Sequence, residues 1–239
     1  MYPHIICHIM SSVDGRLQTE RWTLPAGGAD KASLMGTYAA IGRRLGADAW
    51  MFGKNTLREA CFPRRWRPAD TAPASSPVPY VAPQSSPRLF VVADPDADIL
   101  YDAPTVRGDR IAAILPEGAP AAYLERLRRD GISYLFAGPA GTDLRAAMRT
   151  LAETFGVRTL SLQGGGVIDG AFLQARLLDE LSLVVYPGID GAPSAPSVFE
   201  YIGPDAHPAA GQQLTLQSVE ALPGGAVWLR YRFHRDGEL

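Results

Sequence analysis

The sequence predicts an α/β fold: a single domain over residues 1–239 with a mixed, mostly parallel central sheet flanked by helices, closed by an antiparallel C-terminal hairpin. Three observations predict it. Short β-branched or aromatic runs alternate with longer segments of helical period, the pattern of strands joined by crossover helices. After the last of these, two alternating segments, Gln213 to Glu220 and Ala226 to His234, flank the turn signal Leu222-Pro223-Gly224-Gly225. The hydrophobic content of 46% in 239 residues is enough for a substantial core, which excludes disorder as the overall description.

Strands are expected near 4–10, 48–53, 88–93, 110–115, 132–136, 158–162 and 180–186. Helices fit between them. Lys31 to Leu45 carries Leu34, Met35, Tyr38, Ile41 and Leu45 at helical spacing, and Ala121 to Arg129 repeats the period. In Leu144 to Phe155, the residues Leu144, Ala147, Met148, Leu151 and Phe155 make one apolar stripe. Between Phe62 and Arg88 seven prolines predict an extended surface loop, about 62–88, rather than a domain linker, because Met1 to Cys61 holds too few strands to close a core alone.

Charge and composition then limit the function. With 23 basic and 25 acidic residues, the net charge of -2 supplies no field for nucleic acid or an anionic membrane, so a small-molecule substrate is expected. The N-terminus lacks a signal-peptide pattern and no apolar run suits a membrane helix, which predicts a cytoplasmic protein. Cys7 and Cys61 form neither a disulfide framework nor a zinc site, and His4, His8, His207 and His234 show no metal spacing. Arg64-Arg65-Trp66-Arg67 and Arg126 to Arg129 read as solvated surface.

Three turns carry the chemistry. In Arg158-Thr-Leu-Ser-Leu-Gln163-Gly164-Gly165-Gly166-Val167-Ile168-Asp169-Gly170 an apolar strand runs through three glycines into a helical pattern. Amides at a helix N-terminus carry partial positive charge, and glycines let a diphosphate approach without Cβ interference. A bare strand-to-helix turn is the alternative. The Lys-Ser/Thr ending of a Walker loop is absent, and the spacing is not G-x-G-x-x-G. A second turn, Gly53-Lys54-Asn55-Thr56, and a third, Ser11-Ser12-Val13-Asp14-Gly15-Arg16, also follow apolar strands. In an open α/β sheet such turns gather outside the carboxyl ends of the strands.

Taken together, these pieces resemble the dihydrofolate-reductase-like superfamily, and most of all the reductase domain of bacterial riboflavin biosynthesis proteins. The resemblance lies in Ser12 to Arg16, Gly46 to Thr56, Gln163 to Leu173, Leu178 to Leu183 and the terminal hairpin, in family order. It implies hydride transfer from NADPH, with NADH as the other option, to a small polar heterocycle or a carbonyl- or imine-like compound. It implies Gly164, Gly165, Gly166, Val167 and Ile168 at the diphosphate, Gly53, Lys54 and Thr56 at the cofactor phosphates, Met10 at the nicotinamide amide and Trp22 beside the ring. It implies a homodimer, and Arg16, Arg44 and Gln163 at the substrate.

The departures from the family pattern are local. Gln163 stands where riboflavin-type reductases have Glu, and Arg58 to Pro63 replaces their Asp-Asp-Pro motif. Asp94 stands near the expected adenosine 2′-phosphate position, where a carboxylate suits a ribose hydroxyl better. Asp14 and Asp30 are the candidate proton donors, with turn or helix capping as their alternative roles. No zinc deaminase motif accompanies the chain. The expected activity is an NAD(P)H-dependent reductase. Its rivals are the riboflavin-pathway diaminopyrimidine reductase, a dihydrofolate reductase, and a non-catalytic nucleotide sensor.

Overall fold

The computed structural model describes residues 1–27, 30–67, 72–74, 76–83 and 86–235. Ten strands and five α-helices are present among them, in an α/β arrangement of mostly parallel strands with a C-terminal antiparallel hairpin. The chain divides into two compact units, Met1–Pro3 with Asp48–Leu160, and His4–Ala47 with Ser161–Leu239.

In the first unit β2 (Ala49–Phe52), β3 (Leu89–Ala93) and β5 (Asp109–Leu115) pair in parallel, and β6 (Ser133–Phe136) extends β5 in parallel. The short β4 (Thr105–Val106) runs antiparallel to β5. Helices α2 (Lys54–Ala60), α3 (Ala121–Arg129) and α4 (Leu144–Glu153) connect the strands. Strands β3, β5 and β6 are buried almost throughout, as parallel strands covered on both faces must be. The α4 stripe predicted from periodicity buries Ala147, Met148 and Leu151, and Asp143 caps the helix by accepting from the Ala146 amide at 2.9 Å.

The described parts of the Pro-rich stretch do not stand free of the surface. Tyr80 and Tyr134 exchange backbone hydrogen bonds of 2.9 and 3.0 Å, the Ala82 amide donates to Ser133 Oγ, and Trp66 packs against Tyr123. The apolar residues Trp66, Tyr80 and Ala82 supply the burial that holds this segment down, a signal the proline count concealed. Residues 68–71, 75 and 84–85 of it lie outside the described residues. Two of its arginines are paired, Arg64 with Asp102 and Arg65 with Asp98.

In the second unit β1 (His4–Ser12) pairs in parallel with β8 (Glu180–Tyr186), which pairs antiparallel with β10 (Val227–Arg235), itself paired with β9 (Gln212–Ala221). The predicted hairpin is therefore present, each boundary shifted by one residue. Helix α1 (Lys31–Arg44) packs Leu34 and Ile41 against Met10, Val184 and Trp228. Strand β7 (Thr159–Leu162) ends in the glycine turn that opens α5 (Gly166–Gln174).

Candidate functional site

The three glycines do different work. Gly164 has φ +77, and a Cβ there would lie 2.7 Å from Ile9 Cδ1 and 3.3 Å from Asp169 Oδ2. At Gly166 a Cβ would lie 2.1 Å from the Ser197 carbonyl oxygen, and at Gly170 2.4 Å from the Glu200 backbone. These three are glycines because the protein's own backbone or side chains approach closely. Gly165 is different. It is half-buried and forms the N-cap of α5 in an extended conformation, φ -68 and ψ -170, with no side chain capping the helix. The Gly164–Gly165 peptide is cis. No side chain among the described residues caps the first turn of the helix, which lies beside an exposed Val167, an arrangement that suits an anion's oxygens.

Met10 and Trp22 share one apolar cluster with Tyr186, on which the Trp22 ring stacks at 5.5 Å. Trp22 is 7% exposed, and its indole Nε1 has no hydrogen-bond partner among the described residues. A buried donor left unmatched costs free energy unless something accepts from it.

The remaining predicted residues have partners of their own. Asp14 accepts from Ser12 Oγ at 2.6 Å and from the amides of Gly191 and Asp190 at 2.8 and 3.1 Å. The Ser12 hydroxyl and then those amides hold its pKa down at about 2, so at neutral pH it carries no proton to donate. Asp30 is the N-cap of α1, accepting from the Ser33 amide at 2.8 Å; Gly28 and Ala29, which precede it, lie outside the described residues. Each is thus the cap that was its alternative reading. Arg44 makes a bidentate bond to Glu220 at 3.0 and 2.9 Å and lies over the Trp228 ring at 4.5 Å. Glu220 raises its pKa and Arg44 lowers that of Glu220, so the guanidinium is already matched to a carboxylate. Arg16 donates from Nη1 to the Ala195 carbonyl at 3.0 Å, while its Nε is buried without a partner.

In the first unit, Gly53 is the N-cap of α2 and Thr56 lies in that helix, which spans seven residues. The Lys54 ammonium is 9% exposed and lies 3.2 Å from Asp94, 2.6 Å from Asp96 and 2.5 Å from Asp98. Burial pulls its pKa down, and the carboxylates of Asp96, Asp98 and Asp94 outweigh that and leave it raised. Asp94 is fully buried, accepting from the Ile99 amide at 3.1 Å and the Tyr123 hydroxyl at 3.0 Å; burial raises its pKa, with Lys54 opposing. A ribose hydroxyl cannot reach a carboxylate so enclosed, and the spare cation read in Lys54 is occupied.

Gln163 is 5% exposed and is likewise bonded within the protein, to the Tyr38 hydroxyl at 2.7 Å and to Ser161 Oγ at 2.8 Å. Sequence reasoning missed its surroundings. His8 stacks on Tyr38 at 4.2 Å, and burial lowers its pKa to about 4, so it is neutral. Asp169, in the first turn of α5, is fully buried with neither carboxyl oxygen hydrogen-bonded at ordinary geometry. Burial raises its pKa well above the carboxylate range, and only the neighbouring Cys7 thiol opposes this. Burial therefore favours the carboxylic acid over the carboxylate at that place. The signal in the sequence was an acid inside the otherwise apolar Val167 to Leu173.

Fold and turn together define a class: an α/β protein whose glycine turn leads from a strand into an uncapped helix. The chain belongs to the RibD C-terminal domain family, which matches residues 3–228. It is 27% identical over 209 residues to the 2,5-diamino-6-ribosylamino-4(3H)-pyrimidinone 5′-phosphate reductase of Methanothermobacter thermautotrophicus, covering 86% of this chain and 87% of that protein. The reductase of the same name from Aquifex aeolicus is 26% identical over 204 residues, covering 82% of each. Among solved structures, a pyrimidine reductase-like protein from Corynebacterium diphtheriae shares the fold with a TM-score of 0.67 at 18% identity, over 98% of this chain and 93% of that one. No helix among the described residues is long and apolar enough to cross a membrane.

Proposed function

We propose that the protein is an NADPH-dependent reductase, a single domain acting in the cytoplasm on a small polar heterocycle or a carbonyl- or imine-like compound. The observation that carries this reading is the glycine turn that leads from β7 into α5 with no side chain capping the helix, in a chain of a family whose curated relatives are named reductases. When bound, the dinucleotide supplies the hydride. The backbone from Gly165 to Ile168 binds the diphosphate, Met10 offers backbone groups to the carboxamide, and the apolar face of Trp22 shields the ring. The unmatched Trp22 indole N–H fits a ligand acceptor. These residues act by positioning. Because Lys54 is enclosed by three carboxylates, it is a poor partner for a 2′-phosphate, and NADH remains the second cofactor to test.

A second reading is favoured by the relatives: reduction of 2,5-diamino-6-ribosylamino-4(3H)-pyrimidinone 5′-phosphate itself. The experiment follows absorbance of NADPH and NADH with that compound, dihydrofolate, and a panel of imines and carbonyls. Turnover of the pyrimidinone assigns the second reading, and turnover of another acceptor alone assigns the first. Tight cofactor binding without oxidation by any of them overturns both in favour of a sensor. A homodimer fits the outward Leu214, Leu216 and Val219 of β9, each about half exposed, and sedimentation tests it.

A further inference from the structure

We propose that Gln163 is a positioning residue, the central link of a one-directional hydrogen-bond chain that fixes the end of β7 where the glycine turn departs, and that this chain requires an amide there and not a carboxylate. The inference rests on the reading of that turn as the cofactor cradle. Tyr38 Oη lies 2.7 Å from the His8 carbonyl oxygen and 2.7 Å from the Gln163 carboxamide. A phenol has one proton, and a carbonyl can only accept. The Tyr38 proton therefore goes to His8, and the second contact is a hydrogen bond only if the Gln163 amide nitrogen faces Tyr38 and donates to it. Carboxamide oxygen and nitrogen are assigned from their network, and this network fixes them. Turned over in this way, the carboxamide places its oxygen, in place of its nitrogen, 2.8 Å from Ser161 Oγ, where it accepts that hydroxyl's proton. Protons thus run from Ser161 to Gln163, from Gln163 to Tyr38, and from Tyr38 to the β1 backbone.

A second layer of hydrogen bonds surrounds Tyr38. His8 Nε2 faces the Tyr38 carbonyl at 3.2 Å and so carries the imidazole proton. Nδ1 then accepts from Ser182 Oγ at 3.0 Å, and Ser182 Oγ accepts from Trp228 Nε1 at 2.8 Å. Burial keeps His8 neutral and raises the Tyr38 pKa well above its ordinary value, so neither group changes its proton near neutrality. The groups bonded to residue 163 are Tyr38 from α1 and Ser161 from β7, with His8 of β1 stacked on Tyr38 and Asp169 of α5 and Cys7 of β1 near Tyr38. None supplies a positive charge.

A carboxylate at 163 has no proton for Tyr38, whereas a neutral carboxylic acid reproduces the donor and acceptor of the amide. The test is Gln163→Glu, with NADPH as the probe and its Kd read by fluorescence as a ratio to wild type from about pH 5.5 to about pH 8.5, a range that spans the upward displacement expected of a buried carboxyl. The ratio is expected near one at the acid end and to rise about tenfold at the alkaline end, the loss expected for one broken buried hydrogen bond. A ratio that stays near one at every pH overturns the proposal. If Gln163→Glu does not fold, Ser161→Ala removes the hydroxyl that orients the amide without adding charge. A several-fold weaker, pH-independent Kd is then expected, and an unchanged Kd overturns the proposal. Wild-type protein that binds neither NADPH nor NADH overturns the cradle reading instead, which separates the two failures.

Discussion

Gly165 and Gly166 are adjacent, yet their substitutions should fail in opposite ways. Asp at 165 enters a backbone conformation that ordinary N-cap residues adopt, φ -68 and ψ -170, and its carboxylate can accept from the first amides of α5. Folding stability should therefore change by only a few tenths of a kcal/mol. The same carboxylate occupies the anion's place. Two unit charges about 4 Å apart repel by about 4 kcal/mol at an effective dielectric constant of 20, which weakens the cofactor about a thousandfold. Gly166→Ala brings no charge, but its Cβ would lie 2.1 Å from the Ser197 carbonyl oxygen, about 1.3 Å short of the 3.4 Å at which ordinary contact begins. The Glu200 amide, bonded to the Gly166 carbonyl at 2.9 Å, keeps that loop from withdrawing. Overpacking of this kind costs about 1–3 kcal/mol, and rigid backbone on both sides puts it at the upper end. Urea denaturation and NADPH titration of both variants check this. Gly165→Asp with unchanged NADPH affinity, measured on folded protein, would refute the diphosphate assignment.

Three further outcomes follow from buried titratable groups. Because the His8 pKa falls from 6.5 to about 4 on folding, the unfolded chain binds more protons between these values; stability should drop by about 3 kcal/mol as pH falls through that window, and a His8→Gln variant should show a flatter profile in urea midpoints. Asp169 has the opposite sign, its folded pKa lying above 3.8, so it costs stability as pH rises past that value; Asp169→Asn should be more stable than wild type at neutral pH by on the order of 1 kcal/mol, and a less stable variant there contradicts the raised pKa. Lys54→Met leaves the buried Asp94 without its cation, while Asp98 keeps Arg65 and Asp96 faces solvent, and should cost about 3 kcal/mol of stability in thermal melts. Loss of cofactor affinity without loss of stability would instead return Lys54 to the phosphates.

The strands and long helices were legible because burial follows period: the α4 stripe and the alternation around Leu222 to Gly225 are local facts of sequence. Helix α2 was read as a turn because its seven residues bury only Leu57, too little to show a period. The two-residue β4 left no pattern at all. In the candidate site, the uncapped turn could be read because three glycines adjoin an apolar strand. The fates of the charged residues could not, since they depend on distant partners: Arg44 on Glu220, 176 residues away, and Asp14 on the amides of Asp190 and Gly191. Gln163 was legible as a departure, but its donors and acceptors come from residues 2 and 125 positions away.

The docked segment around Tyr80 has a consequence for solubility. β6 lies at the margin of the first unit's strands, where a bare row of amides and carbonyls is a template for pairing with another chain. Tyr80 meets Tyr134 there, and its neighbours Pro77, Pro79 and Pro83 have no amide hydrogen to offer outward. A segment that pairs inward once and cannot propagate outward is a stop for edge-to-edge aggregation. Replacing those prolines would remove a guard against fibril growth that no stability measurement on the monomer would register.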